Sequence, residues 1–171
     1  YRLTPEEEQV VERLRQARND QEKVLVCGDY DADGICSSYI LKRGLEACGA
    51  VVDTMIPHRM KDGYGLNEHL VDEAYADGID TILTCDNGIA AYAQIEQAKK
   101  YGMTVIITDH HEIPYEEEPL AEPDPETGET SRRRYKIPPA DVVIDPKQPG
   151  DTYPFQEICG AVVAFKLMQL L

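Results

Sequence analysis

Lys23-Val24-Leu25-Val26-Cys27-Gly28-Asp29-Tyr30-Asp31-Ala32-Asp33-Gly34 decides the architecture. Lys23 to Cys27 is a short apolar run, too brief for a helix, and it reads as a strand buried on both faces. A tight turn rich in aspartate and glycine follows. From about Ile35 to Cys48 the pattern turns helical, and Gly49 closes it. Strand, acidic turn and helix together open a β/α unit.

The same order recurs downstream. Thr81 to Cys85 reads as a strand, Asp86-Asn87-Gly88 as its turn, and Ile89 to Tyr101 as a helix closed by Gly102. Thr104 to Thr108 is another apolar strand, followed by Asp109-His110-His111. Asp141 to Ile144 is a further strand, followed by Asp145. Val51 to Ile56 also reads as a strand, but no acidic cluster follows it. Helices are expected from the Thr4-Pro5-Glu6-Glu7 capping box to about Asn19, from Leu66 to Ala76, and from about Glu157 to Leu171. Near-continuous Val/Ile/Leu strands alternating with helices predict an α/β fold: three layers, with a five-stranded, mainly parallel sheet covered on both faces. Ligands of such sheets bind outside the carboxyl ends of the strands. For the acidic turns to meet there, the first, third and fourth strands must be neighbours, with the second strand outside. That gives the order 2-1-3-4-5. Residues 116–139, rich in proline and charge and without period, read as a surface excursion of a single domain spanning 1–171.

Composition excludes some classes. The 42% hydrophobic and 29% charged residues are those of a globular domain. No apolar run is long enough to span a bilayer, and no secretory signal pattern is present. The five cysteines form no CxxC pair, which points to reduced structural thiols and a cytoplasmic setting. The net charge of −15, from 17 Lys and Arg against 32 Asp and Glu, opposes a surface that grips nucleic acid all over. Either the chain does not bind nucleic acid, or part of its acidity is a metal site. Composition alone favours plain solubility.

The acidic residues, however, cluster at strand ends. Crowded carboxylates raise each other's pKa unless cations neutralise them. Carboxylate and imidazole donors without thiolate suit Mn²⁺ or Mg²⁺, and several carboxylates sharing one or two histidines point to two ions. Each motif has a plainer reading by itself. An Asp after a strand is often a helix cap, and Asp109-His110-His111 alone is a turn with surface histidines. The Asp29-x-Asp31-x-Asp33-Gly34 spacing resembles a calcium loop. Its twelfth position is Ile40 rather than Glu, and a strand precedes it, so that reading fails. Only the set as a whole argues for a metal centre.

Gly28-Asp29-Tyr30-Asp31-Ala32-Asp33-Gly34 after a first strand, Asp86-x-Gly88 after a third and Asp109-His110-His111 after a fourth resemble the DHH phosphoesterase superfamily. That superfamily includes RecJ-type exonucleases, oligoribonucleases, cyclic-dinucleotide phosphodiesterases and manganese pyrophosphatases. Ile56-Pro57-His58-Arg59, Gly63-Tyr64-Gly65-Leu66-Asn67, Asp145-Pro146-Lys147 and Cys159 to Leu167 are similar to the RecJ-type branch. The resemblance implies a 5′ to 3′ exonuclease on single-stranded DNA, acting in recombination and repair, with two divalent cations, Mn²⁺ preferred or Mg²⁺. It implies Asp31 and Asp33 as metal ligands, Asp86 as a bridging carboxylate and His110 as a histidine ligand. Asp29 becomes a ligand or an acceptor behind the ligands. Asp109 and His111 orient the site or touch the phosphate, and Arg59 contacts the substrate phosphate. Asn87 and Asp145 depart from the branch, which usually carries Cys or another small residue and Asn there. The resemblance also implies a fourth acidic motif, a DHH-associated domain and an oligonucleotide-binding domain beyond Leu171. The segment alone is then expected to be weakly active or inactive, with at least one ion site weak or empty, and able to self-associate through its apolar last helix. A helicase or a single-strand-binding protein is the implied partner of the whole.

Overall fold

The structure, a computed structural model, describes residues 4–58, 60, 63–122, 125 and 127–171. Its elements in chain order are α1 (Pro5–Asn19), β1 (Lys23–Cys27), α2 (Ala32–Ala47), β2 (Val51–Met55), α3 (Glu68–Ala76) and β3 (Thr81–Cys85). There follow α4 (Tyr92–Lys100), β4 (Thr104–Thr108), β5 (Tyr115–Pro119), β6 (Ser131–Tyr135), β7 (Val142–Ile144) and α5 (Gly160–Leu170). Five strands form one parallel sheet in the order β2-β1-β3-β4-β7. This is the expected order, with β7 standing where the sequence places its fifth strand.

Period-two alternation divides the core. Val24 and Val26 face Leu41 and Leu45 of α2, Val10 and Leu14 of α1, and Ala164 and Leu167 of α5. Leu25 and Cys27 face Leu70 and Val71 of α3 and Ile95 and Ala98 of α4. Both faces are therefore sealed, as near-continuous apolar strands require. Emptying one such position, as in Leu41→Ala, costs roughly 2–5 kcal/mol.

Helix starts differ from the sequence reading for reasons of hydrogen bonding. Helix α2 begins at Ala32 because the Asp31 side chain caps it, accepting from Gly34 N at 2.9 Å. Helix α3 begins at Glu68, capped by Asn67. Helix α4 begins only at Tyr92: the chain first closes a tight turn in which Ala91 N donates to Gly88 O at 3.0 Å, and Asp109 accepts from Ile89 N at 3.0 Å. Helix α5 begins at Gly160, where its first N–H groups meet Asp33.

The segment read as an irregular excursion holds an antiparallel hairpin, β5-β6. Neither strand alternates apolar and polar residues, so no periodicity announces them. Their pairing rests on charge: Glu116 faces Arg134, Glu117 faces Arg133 and Glu118 faces Arg132. Such cross-strand pairs contribute roughly 0.2–1 kcal/mol each.

Candidate metal centre

The carboxyl ends of β1, β3, β4 and β7 carry Asp29, Asp86, Asp109 and Asp145, all buried. Asp86 sits at φ 59°, a left-handed conformation uncommon outside glycine. His110 Nε2 lies 2.9 Å from Asp86 Oδ1 and 3.5 Å from Asp33 Oδ2. The ligating atoms of Asp86, His110 and His111 all lie within 4.8 Å of one another. Asp31 is exposed at the head of α2 and adds its charge to that felt by Asp86.

Asp33 accepts from Gly160 N at 2.7 Å and Ala161 N at 2.8 Å. The amino terminus of α5 thus holds this carboxylate across the site, where the helix dipole favours negative charge. A carboxylate has about four lone-pair directions, so Asp33 keeps capacity for a cation. The packing is close: a Cβ added to Gly160 would lie 2.8 Å from both Cβ and Oδ1 of Asp86. Gly34 is equally constrained, since a Cβ there would lie 2.6 Å from the Asp29 backbone.

Asp109 is an organiser. Its Oδ1 accepts from His110 N at 2.7 Å and His111 N at 3.2 Å, and lies 2.7 Å from His111 Nδ1. Burial works to raise its pKa, but the His111 ring and the N–H groups of Ile89 and His110 outweigh it and hold Asp109 low. The same bond to Asp109 raises His111 above the usual histidine range. Burial, with His111 alongside, lowers His110 and favours the neutral imidazole that a metal requires.

Two carboxylates are supported less fully. Burial, then the charges of Asp33 and Asp31, push Asp86 up to about 8. Burial pushes Asp145 up to about 7, offset in part by Lys147 N, which donates to Oδ1 at 2.9 Å. Both oxygens of Asp29 and Oδ2 of Asp145 are buried without a hydrogen-bond partner among the described residues. Unpaired buried carboxylate oxygens are costly, and a bound cation is a standard resolution. Cys85 Sγ, buried next to Asp86 in the chain, contacts Ser38 Oγ at 3.5 Å and is pushed up to about 12 by burial, so the donors here are oxygen and imidazole nitrogen. This set fits a hard or borderline divalent ion.

Residues 23–171 match the DHH family, N-terminal domain. The chain belongs to the DHH family. It is similar to the single-stranded-DNA-specific exonuclease RecJ of Bacillus subtilis (strain 168), with 41% identity over 163 residues, 95% of this chain and 18% of that protein. RecJ of Escherichia coli (strain K12) is 35% identical over 165 residues, 96% of this chain and 25% of that one. The chain therefore spans between 18% and 25% of the length of these two curated relatives. Among solved structures, an exonuclease RecJ bound to manganese superposes with a TM-score of 0.76 at 33% identity, covering 100% of this chain and 38% of that one. RecJ from Thermus thermophilus in complex with Mn²⁺ gives 0.70 at 30% identity, covering 99% and 21%.

In this DHH chain, two residues take roles that the sequence did not assign to them. Tyr64, noted only within Gly63-Tyr64-Gly65-Leu66-Asn67, donates to Asp86 O at 3.1 Å and lies 3.3 Å from His111 Nε2. Its exposed position between strands gives no periodic signal that would have singled it out. Asn87, noted only as a turn residue that departs from the branch, is a staple: its amide donates to Cys27 O at 3.0 Å and Cys85 O at 2.9 Å, tying β1 to β3. Arg59, the expected phosphate contact, lies outside the described residues. Among the described residues, no helix is long and apolar enough to cross a membrane.

Proposed function

We propose that this chain is the cation-binding catalytic part of a 5′ to 3′ exonuclease acting on single-stranded DNA in recombination and repair. The observation that carries the reading is the meeting of Asp33, Asp86, His110 and His111 around partnerless buried carboxylates at one sheet edge. Similarity to RecJ proteins supports the substrate class. Asp31, Asp33, Asp86 and His110 would hold two divalent ions, Mn²⁺ before Mg²⁺, with Asp86 shared and Asp29 as a further ligand. When bound, such a pair lowers the pKa of a water and clamps phosphoryl oxygens.

The protein's own residues do the rest. The amino terminus of α5 fixes Asp33, so a ligand on α2 keeps its place. Asp109 holds a proton on His111 Nδ1, which leaves Nε2 beside the Tyr64 hydroxyl to take or return a proton at the reacting phosphate. Arg59 would meet a neighbouring phosphate. Cys27, Cys36, Cys48, Cys85 and Cys159 are all free thiols, which suits work in the cytoplasm, on strands exposed by a helicase or a single-strand-binding protein. Self-association through α5 belongs to the same reading: Val162 and Phe165 are exposed there, at 40% and 51%.

The test is a Mn²⁺ titration of the EDTA-treated chain, followed by hydrolysis of 5′-labelled single-stranded DNA and of a dinucleotide, beside Bacillus subtilis RecJ. Saturable Mn²⁺ binding and release of 5′-mononucleotides, slower than RecJ itself, are expected. Failure to bind Mn²⁺ sinks the metal centre. Binding without hydrolysis, both in this chain and in a chimera that joins it to the rest of Bacillus subtilis RecJ, makes it a non-catalytic module, and preference for the dinucleotide makes it a small-nucleotide phosphodiesterase.

A further inference from the structure

The hairpin β5-β6 emerges directly from the loop that carries the site histidines. Tyr115 is four residues beyond His111. Even fully extended, that stretch places their Cα atoms no more than ~14 Å apart.

Its two faces differ. Glu116, Glu118, Arg132 and Arg134 share one face, where every charge is matched: Arg132 pairs with Glu118 at 2.8 Å, Arg134 with Glu116 at 2.7 Å, and Lys136 also meets Glu116. The other face carries Tyr115, Tyr135, Glu117 and Arg133. Here Arg133 makes no ion pair among the described residues, although Glu117 stands directly across from it. Its guanidinium is hydrogen-bonded to Tyr135 and lies over the Tyr115 ring, 4.5 Å from the centroid, and Glu117 acts on it only through its charge. Tyr115 and Tyr135 meet edge to face at 6.0 Å, and both remain open to solvent, at 43% and 37%.

An isolated two-stranded ribbon is marginal in water. A ribbon whose charges are neutralised on one face, and which on the other presents two rings and a guanidinium held against them by Tyr115 and Tyr135, is built to stack against a flat ligand. Tyrosine faces and arginine planes are what unpaired nucleobases stack on. A duplex offers no free base faces, and with a net charge of −15 the chain lacks the many cations that a phosphate grip needs.

We infer that the Tyr115–Arg133–Tyr135 face of the hairpin is a stacking platform for unpaired bases of a single-stranded nucleic acid led to or from the adjacent cluster. This rests on the exonuclease reading for its substrate class, and goes beyond it in assigning the contact surface. Attraction comes mainly from stacking, so the hairpin contributes about one charge to the salt dependence.

The experiment uses the chain as it stands, in EDTA at low salt, with a 12-residue deoxyoligonucleotide carrying 5-bromodeoxyuridine. Irradiation and peptide mapping are expected to place cross-links on Tyr115 or Tyr135. By fluorescence anisotropy, Tyr115→Ala and Arg133→Ala should each weaken binding about 5- to 100-fold. Tyr115→Phe, which keeps the ring, and Arg134→Ala, on the opposite face, should bind as the parent does. Cross-links confined to other regions, or unchanged affinity in the two hairpin variants, overturn the platform. So does a result in which those variants abolish self-association in sedimentation and leave oligonucleotide binding intact, which would make the face a contact between copies. If the parent hydrolyses DNA with Mn²⁺ while the hairpin variants bind normally, the platform fails and the exonuclease reading stands. If the parent binds no Mn²⁺ yet cross-links through Tyr115, the reverse holds.

Discussion

The two edges of the parallel sheet solve the same electrostatic problem differently. At the amino ends of the strands, Glu22 is met by Arg13 Nη2 at 2.6 Å and by the Thr81 hydroxyl at 3.3 Å, and Asp80 accepts from Lys23 N at 2.8 Å. Asp141 takes Val105 N at 2.7 Å and the Lys99 ammonium at 2.6 Å. At the carboxyl ends, among the described residues, the Asp29 carboxylate has no hydrogen-bond partner and Asp145 has one unpaired oxygen, while burial and neighbouring carboxylates hold Asp86 far above its ordinary pKa. The amino edge is finished with protein donors. The carboxyl edge is left short of positive charge, which marks it as the place where a cation belongs.

The sharpest way to break that comparison is Asp86→Asn. Asn tolerates the left-handed backbone that this position needs, so the fold should survive. Removing partners that merely support metal ligands costs about 10- to 100-fold in affinity, and a shared ligand should cost more than about 100-fold. The expected outcome is loss of Mn²⁺ binding by calorimetry and of hydrolysis, together with a higher melting temperature in EDTA, because one repelling carboxylate is gone. Retained Mn²⁺ affinity would remove Asp86 from the centre.

Much of this contrast was legible in the sequence. The runs Lys23–Cys27, Thr81–Cys85 and Thr104–Thr108 are apolar throughout or nearly so, and such runs make buried parallel strands in few arrangements. Acidic turns after each then fix both sheet order and site edge. What was not legible depends on pairing over long separations. The grip of Gly160 and Ala161 on Asp33 spans more than a hundred residues, and nothing local announces it. The β5-β6 ribbon was hidden because Tyr-Glu-Glu-Glu-Pro and Ser-Arg-Arg-Arg-Tyr look like solvated loop until the register sets one against the other.

The second test sharpens the comparison through pH. In the metal-free chain Asp86 and Asp145 hold their protons to about 8 and about 7. An acid raised in the folded state costs nothing below its unfolded pKa, ~3.9, and its full penalty appears above its folded pKa. His111, raised by Asp109, acts in the same sense, losing its stabilising contribution as pH rises through its folded pKa. His110, lowered, acts in the opposite sense. Two carboxylates and His111 outweigh it, so the melting temperature in EDTA should fall between pH 5.5 and pH 8. Mn²⁺ should reverse this. At a hundred times its Kd it stabilises by about 2.7 kcal/mol, or roughly 5–11 °C for a domain of this size. The gain should be largest at pH 8 and shrink at pH 5.5, where protons compete for the same oxygens. An EDTA melting curve that is flat across this range would show that the carboxyl edge is not short of cations.

The smallest effect belongs to the finished edge, and it is the control that gives the others meaning. Arg13 bonds Glu22, Thr81 and Thr104, while its Nη1 is buried without a hydrogen-bond partner among the described residues. Its side chain is about a fifth exposed, at 21%, as is that of Glu22, so solvent screens part of the pair. Arg13→Met keeps the aliphatic stem against the sheet, removes the unpaired nitrogen and leaves Glu22 with only the Thr81 hydroxyl. A charged hydrogen bond is worth about 1.5–3 kcal/mol when well shielded; discounted for exposure, the loss should be about 1–2 kcal/mol, or roughly 2–8 °C. Glu22 can relax into water, which Asp29 and Asp145 cannot, and this keeps the cost small. The decisive reading is the Mn²⁺-induced shift, which should match the parent within error at pH 8, because Arg13 sits at the opposite end of the strands from the cluster. If Arg13→Met instead changes the Mn²⁺ shift as strongly as Asp86→Asn does, the two edges are coupled through the sheet, and the division between a finished edge and a cation-seeking one is wrong.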